Sequence, residues 1–399
     1  MPVRAQHLHD VVRAFCLGAF AELAPETGGA ELPFVVEEHD SGLFEYRPLV
    51  RDHVEARAYW LADLPDARAA AEELSRDPAA RIFAQGREDR ALFKTILLPT
   101  VVRVAEGCGG FDWDDTAFER VYADLERTLY GTTRVYAAIA PLVGLSVGAT
   151  VEIGPGLTVR GATAEELRHE LAPSRYGDGP ERGCVIQLER ELPAEQEEPP
   201  DSPAELASVV TALRLATGAA LAGGPVVLDR LDWHPLAIRP MPGIAATEPA
   251  GEPARLDPWR GKLAGELIER IAASSDDSEL TEAVERWELS LFEDEPLRSE
   301  RLRESLAALL GGADSLWAAA MRATLLVADG GRERTGLVDR LRGLARGERP
   351  GVQVADDVRR AIVETLLHDD RARLVTALDE ALLGLRPRPA GYYAQRAAS

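Results

Sequence analysis

The chain has 399 residues, 46% of them hydrophobic, and a formal net charge of -22. That length carries a sizeable core and two or three domains, and the charge opposes non-specific binding to nucleic acid because the overall field repels phosphate. No apolar run reaches bilayer length and no charged, apolar, small-residue signal segment opens the chain, so we expect a soluble, cytoplasmic protein without a membrane partner.

The three cysteines, Cys16, Cys108 and Cys184, are odd in number and far apart, a pattern that fits neither a disulfide framework nor a zinc spacing. Lys94 and Lys262 are the only lysines, and asparagine is absent. This is coding bias towards arginine, so arginine abundance by itself says little about phosphate.

In chain order, residues 5–24 form an amphipathic helix through Leu8, Val12, Phe15 and Leu23. Pro33 to Glu38 reads as a short strand. Residues 52–64, 66–76 and 88–106 read as helices. Gly107 to Gly110 is a turn, and Asp112, Asp114 and Asp115 precede a helix through Phe118, Val121, Leu125 and Leu129. The pattern then changes. Arg134 to Leu145 is apolar and strand-like, and Thr150 to Arg160 alternates around Gly154-Pro155-Gly156, which predicts a hairpin. Thr163 and Glu166 form a capping box, and Cys184 to Leu188 is a strand. Residues 193–203 form an acidic, Pro-rich loop. Ser202-Pro203-Ala204-Glu205 opens a helix, Pro225 to Leu231 is a further strand, and Pro240 to Pro253 is Pro/Gly-rich.

From Leu256 onward the pattern is a helical bundle. Asp257-Pro258 is a cap followed by Pro at the first helical position. Apolar stripes follow through Leu263, Leu267 and Ile271; Val284, Trp287 and Leu291; and Leu302, Leu306 and Leu309, the last ended by Gly311-Gly312. Asp314 caps a helix through Trp317, Met321 and Leu325, ended by Gly330-Gly331. A short helix spans Leu337 to Leu344, and one long last helix runs from about Asp356 to Leu383. The fold class is α+β, predominantly α. Its parts are a helical region over 1–133, a β-containing middle domain over 134–239, a linker over 240–256, a bundle over 257–386 and a tail over 387–399.

Several motifs offer chemistry and each has a plainer reading. Gly144-Leu145-Ser146-Val147-Gly148 matches a nucleophile elbow, but strand character follows it where a helix is needed. Glu37-Glu38-His39-Asp40, with His7 and His9 elsewhere, supplies metal-ligand types, although neighbouring strand residues point to opposite faces. Asp112, Asp114 and Asp115 are an acid/base or metal candidate, with a helix cap as the simpler role. Cys108 lies in a glycine turn without a sequence-adjacent histidine. No P-loop, dinucleotide fingerprint or H-E-x-x-H occurs, so we expect no cofactor and no metal.

Three segments together resemble proteins with an ApeA-like HEPN domain. They are PLVGLSVGATVEIGPGLTVRGATAEEL (141–167), VVTALRLATGAA (209–220), and the bundle, notably LFEDEPLRSERLRESLAALLG (291–311) and VRRAIVETLLHDDRARLVTALDEALLG (358–384). The resemblance spans most of 134–385. It implies a helical bundle, homodimerisation, an RNA or protein partner, and a role in prokaryotic defence or stress. The family's ribonuclease motif is an Arg followed, after roughly four to six residues, by a His acting as acid/base at the phosphate without metal. Here the corresponding segment, Leu341 to Arg349, holds Arg342, Arg346 and Arg349 and no histidine. His368 follows Arg360 by two helical turns, outside the family spacing. The resemblance therefore implies a degenerate HEPN-type interaction module, with Arg342, Arg346, Arg349 and Arg359 as RNA-contact candidates. The alternatives are a metal-independent endoribonuclease using Arg360 and His368, or an unrelated enzyme sited in the N-terminal region. The plain reading of the arginines is a solvated basic helix end, and that of His368 a polar break between helices.

Overall fold

The structure, a computed structural model, describes residues 4–24, 34–38, 44–84, 90–163, 166, 183–242, 252–311, 316–349, 351–368 and 370–391. Helix outweighs strand by 60% to 16%, so the protein is α+β and predominantly α. The helices are α1 (Gln6–Leu23), α2 (Val50–Glu55), α3 (Ala58–Asp63), α4 (Pro65–Arg76), α5 (Leu98–Cys108), α6 (Asp115–Tyr130), α7 (Ser202–Thr217), α8 (Pro258–Ala273), α9 (Ser278–Ser290), α10 (Leu297–Leu310), α11 (Leu316–Val327), α12 (Gly331–Ala345), α13 (Val352–Leu366) and α14 (Arg371–Leu382). The strands are β1 (Phe34–Glu38), β2 (Phe44–Pro48), β3 (Thr133–Val143), β4 (Leu145–Val147), β5 (Val151–Gly154), β6 (Leu157–Gly161), β7 (Cys184–Pro193), β8 (Ala222–Gly223), β9 (Val226–Leu231), β10 (His234–Pro240) and β11 (Ala254–Leu256).

The chain divides into two compact units. The first comprises Met1–Ala138, Glu189–Asp201 and Leu228–Arg239; the second comprises Ile139–Leu188, Ser202–Val227 and Pro240–Ser399. Strands β3, β7, β9 and β10 each contribute residues to both.

In the first unit, α1 buries Leu8, Val12, Phe15, Cys16, Ala19, Phe20 and Leu23 along one stripe and packs on α4 and α5. A π-helical turn, Phe93–Leu97, leads into α5. Its cause is Pro99, which has no N–H to give the Thr95 carbonyl four residues back. That carbonyl instead accepts the Nδ1 proton of buried His234 at 3.1 Å. The β9–β10 turn places Asp232 at φ 53, a left-handed position that Asp tolerates by local hydrogen bonding. Its carboxylate accepts from Val135 N at 2.9 Å and from the Thr128 hydroxyl at 2.7 Å. Tyr136 donates to Asp229 at 2.6 Å, and Arg239 pairs with Asp229 and donates to Tyr136 at 2.9 Å, giving a closed polar cluster around buried Tyr136 and Asp229.

In the second unit, β5 and β6 form the expected hairpin, with Gly156 at φ 67 in its turn, and β6 pairs antiparallel with β7 from Leu157↔Leu188 to Gly161↔Cys184. Helix α8 lies directly on β5. A Cβ added at Gly265 would sit 2.1 Å from the Ile153 carbonyl, and one at Gly261 would sit 2.5 Å from Val151 Cγ1. The two glycines, one turn apart, give α8 a face with no side chains. The bundle core centres on Trp287, buried, with its indole N–H on the Ala355 carbonyl at 3.2 Å. Arg322 ties three helices, holding Asp379 through two bonds of 2.7 and 2.8 Å and the Leu310 carbonyl at 2.7 Å.

Some expectations are corrected. The long last helix is two helices, α13 and α14, because Asp370 caps a new start by accepting from Arg373 N at 3.0 Å. Gly330-Gly331 does not end α11; Gly330 is the N-cap position of α12, which is longer than the expected 337–344. Five strands are unforeseen, β2, β4, β8, β10 and β11; β4 stands where a turn is expected at Gly144 to Gly148, and β11 lies inside the expected linker. The Asp314 cap lies outside the described residues.

Candidate functional site

His368 stands just beyond α13, where its Nδ1 reaches the Glu364 carbonyl at 2.8 Å. It lines a cleft of about 540 Å³ with residues from the end of α8, the start of α9 and the start of α14. Arg371, in the first turn of α14, is the cleft's organising cation. Its Nε meets Asp277 at 2.8 Å, one Nη pairs with Glu279, and the other donates to the Ala308 and Leu309 carbonyls at 3.3 and 3.2 Å. These last are carbonyls from the end of α10, left without helical partners there. Asp277 is also the N-cap of α9, accepting from Leu280 N at 3.0 Å. Burial pushes its carboxyl upward, but the Arg371 bond and the backbone N–H groups outweigh burial and hold it below the usual carboxylate range. Arg371 is correspondingly raised: burial opposes its charge, and Asp277 and Glu279 overcome that. Four carboxylates line the cleft, Asp276, Asp277, Glu279 and Asp370, against two guanidiniums, Arg270 and Arg371.

Arg360 does not share this cleft. It pairs with Glu333 at 3.2 Å and lines a separate one of about 340 Å³ beside Trp259 and Arg359. Arg359 is occupied by Asp356 at 2.7 Å and the Leu215 carbonyl at 2.6 Å. Arg342 lies over the Trp317 ring at 5.1 Å. Arg346 and Arg349 are exposed at the end of α12, beside Gly347 at φ 79, and make no ion pair among the described residues.

The N-terminal candidates resolve into structural roles. Asp114 caps α6, accepting from Thr116 N at 2.8 Å. Asp115 binds Arg13 at 2.7 Å and the Trp113 indole at 2.9 Å, and the Arg13 bond holds its carboxyl low. His9 is buried between Glu119 at 3.0 Å and Asp10 at 3.2 Å, its ring edge-on to Tyr122 and Phe118. His7 faces Glu73 at 3.6 Å. His39 and Asp40 lie outside the described residues, which contain no group of three His, Cys, Asp or Glu able to hold a metal. Ser146 sits in β4, a strand paired in parallel with β11, with its hydroxyl on the Ala254 carbonyl at 3.4 Å. It has no following helix and so lacks the geometry of an elbow. Burial raises the thiols of Cys108 and Cys184 away from reactivity.

Sequence reasoning missed Arg371, Asp277 and Glu279. The one usable signal was Asp277 as a cap followed by Glu279; nothing local ties them to residue 371. Compared with known proteins, the chain matches no family model, no curated protein and no solved structure.

Proposed function

We propose that the protein is a HEPN-type interaction module that works as a cytoplasmic homodimer without ribonuclease chemistry, in the defence or stress setting its resemblance implies. The observation that carries this reading is the state of the cleft around His368. Arg371, a guanidinium lining the same cleft, already spends its donors on two carboxylates and two backbone carbonyls. Carboxylates outnumber cations there, so a phosphodiester meets repulsion where transition-state charge would need stabilising. Self-association is supported by Leu382, Leu383 and Leu385, exposed by 41%, 75% and 73% at the end of α14, a concentration of apolar surface that association removes from water.

The test is incubation of a mixed single-stranded RNA pool with wild type in EDTA, alongside sedimentation of wild type and Leu383→Glu. Intact RNA, a dimeric wild type and a weakened dimer in the variant are the expected results. RNA cleavage that His368→Ala abolishes overturns the reading in favour of a metal-independent endoribonuclease, with Arg371 rather than Arg360 as the neighbouring cation.

A further inference from the structure

A third cleft in the same unit is built differently. It has a volume of about 410 Å³ and lies between α7, the end of α8, α9 and the segment Met241-Pro242. Its walls are apolar, from Val210, Met241, Pro242 and Ile271. Its ionisable lining residues are Arg214 and Glu288, whose side chains are 3% and 4% exposed. Arg214 Nη1 meets Glu288 Oε1 at 2.8 Å, Nε donates to the Leu221 carbonyl at 2.8 Å, and the guanidinium lies over Phe292 at 5.1 Å. Three contacts therefore fix the guanidinium. Arg214 Nη2 and Glu288 Oε2 have no hydrogen bond among the described residues. Glycine at 223 keeps the wall thin, because a Cβ there would lie 2.7 Å from Val210 Cγ2 and 3.2 Å from Met241 Cε.

A buried ion pair is a poor stability device compared with an apolar pair of the same volume. Placed on the lining of a mostly apolar cleft, it has the composition of a ligand site, a few fixed polar groups among apolar walls. We propose that this cleft binds an uncharged ligand with an apolar body and an amide-like edge, a carbonyl oxygen beside an N–H. The carbonyl accepts from Arg214 Nη2 and the N–H donates to Glu288 Oε2. The pair is neutral overall, so an anion gains from Arg214 and loses to Glu288, and a cation does the reverse. A neutral edge that both accepts and donates satisfies both groups. A primary carboxamide and the imide-like edge of a nucleobase share this chemistry.

The experiment is calorimetric titration of the full chain with benzamide, benzoate and benzamidine, which share a ring and differ in charge, with guanosine as a competitor. Benzamide is expected to bind at least about tenfold more tightly than either charged analogue. Ser208→Phe fills the cleft from α7 without touching the ion pair, and is expected to weaken benzamide at least about tenfold while leaving the denaturation midpoint in place. Glu288→Gln is expected to narrow the margin over benzoate by removing the repelling charge. Competition by guanosine assigns the site to a nucleobase edge, and binding of benzamide without competition assigns it to a carboxamide. Benzamide that fails to bind, binds no better than benzoate, or binds Ser208→Phe as well as wild type overturns the proposal.

Discussion

The two units each bury an ion pair, and the two pairs are finished differently. In the first unit Asp229 is enclosed, and both of its oxygens are used by Tyr136 and Arg239; Arg239 also reaches the Pro200 carbonyl at 2.8 Å. In the second, Arg214 and Glu288 are both buried, more so than Arg239, yet each keeps one polar atom outside the pair. Closed clusters rigidify what surrounds them. An open pair at a cleft has donor and acceptor capacity left for something else. The more deeply buried pair is the open one, so depth of burial does not mark closure; the count of satisfied atoms does.

Breaking the closed cluster has the largest expected effect. Asp229→Ala strands Arg239 and Tyr136, and urea denaturation is expected to show a loss of about 3–5 kcal/mol. Acid is the next lever, and it acts on the first unit. His234 is fully buried, donates Nδ1–H to Thr95, and has Trp233 stacked on it and Phe83 edge-on. Burial, reinforced by nearby Arg103 and only partly offset by the Thr95 bond, pushes it down to about 3. Its folded pKa lies below the unfolded value, so the unfolded chain binds the extra proton. Stability is whole above about pH 6.5 and falls as pH drops towards 3, by about 2 kcal/mol at pH 5. His234→Phe is expected to flatten that pH dependence between 7 and 5.

Opening the comparison from the other side, Glu288→Gln keeps the shape and a carbonyl acceptor for Arg214. It is expected to cost about 1–3 kcal/mol, less than Asp229→Ala, and an equal loss would mean that the second pair is as closed as the first. At the far end, Arg349→Ala removes an exposed cation with no ion pair among the described residues, and denaturation is expected to move by no more than about 0.5 kcal/mol.

Local chemistry was the legible part of the sequence. The Gly154-Pro155-Gly156 turn, the Asp114 and Asp257 caps, the Ser202-Pro203 start and the Thr163–Glu166 box all stand where their residue types require. In the box, Glu166 also takes Arg160, and despite burial these bonds hold its carboxyl low. What failed was local signal that pointed both ways. Leu366 and Leu374 keep helical phase across residues 367–370, so periodicity ran straight through the α13–α14 break. Strand β10 follows a turn built on Asp232-Trp233, which has no glycine to announce it. The site lay beyond any local reading, since Asp277 and Arg371 are 94 residues apart. The glycines of α8 were silent too, because a missing side chain says nothing of the strand it admits.

The division of the chain has a consequence for inheritance. Following the residue ranges, the backbone passes from one unit to the other after Ala138, Leu188, Asp201, Val227 and Arg239, five times in all. Neither unit is a contiguous stretch of gene. A single recombination event therefore cannot donate one to another protein, and the two can only be duplicated, lost or transferred together.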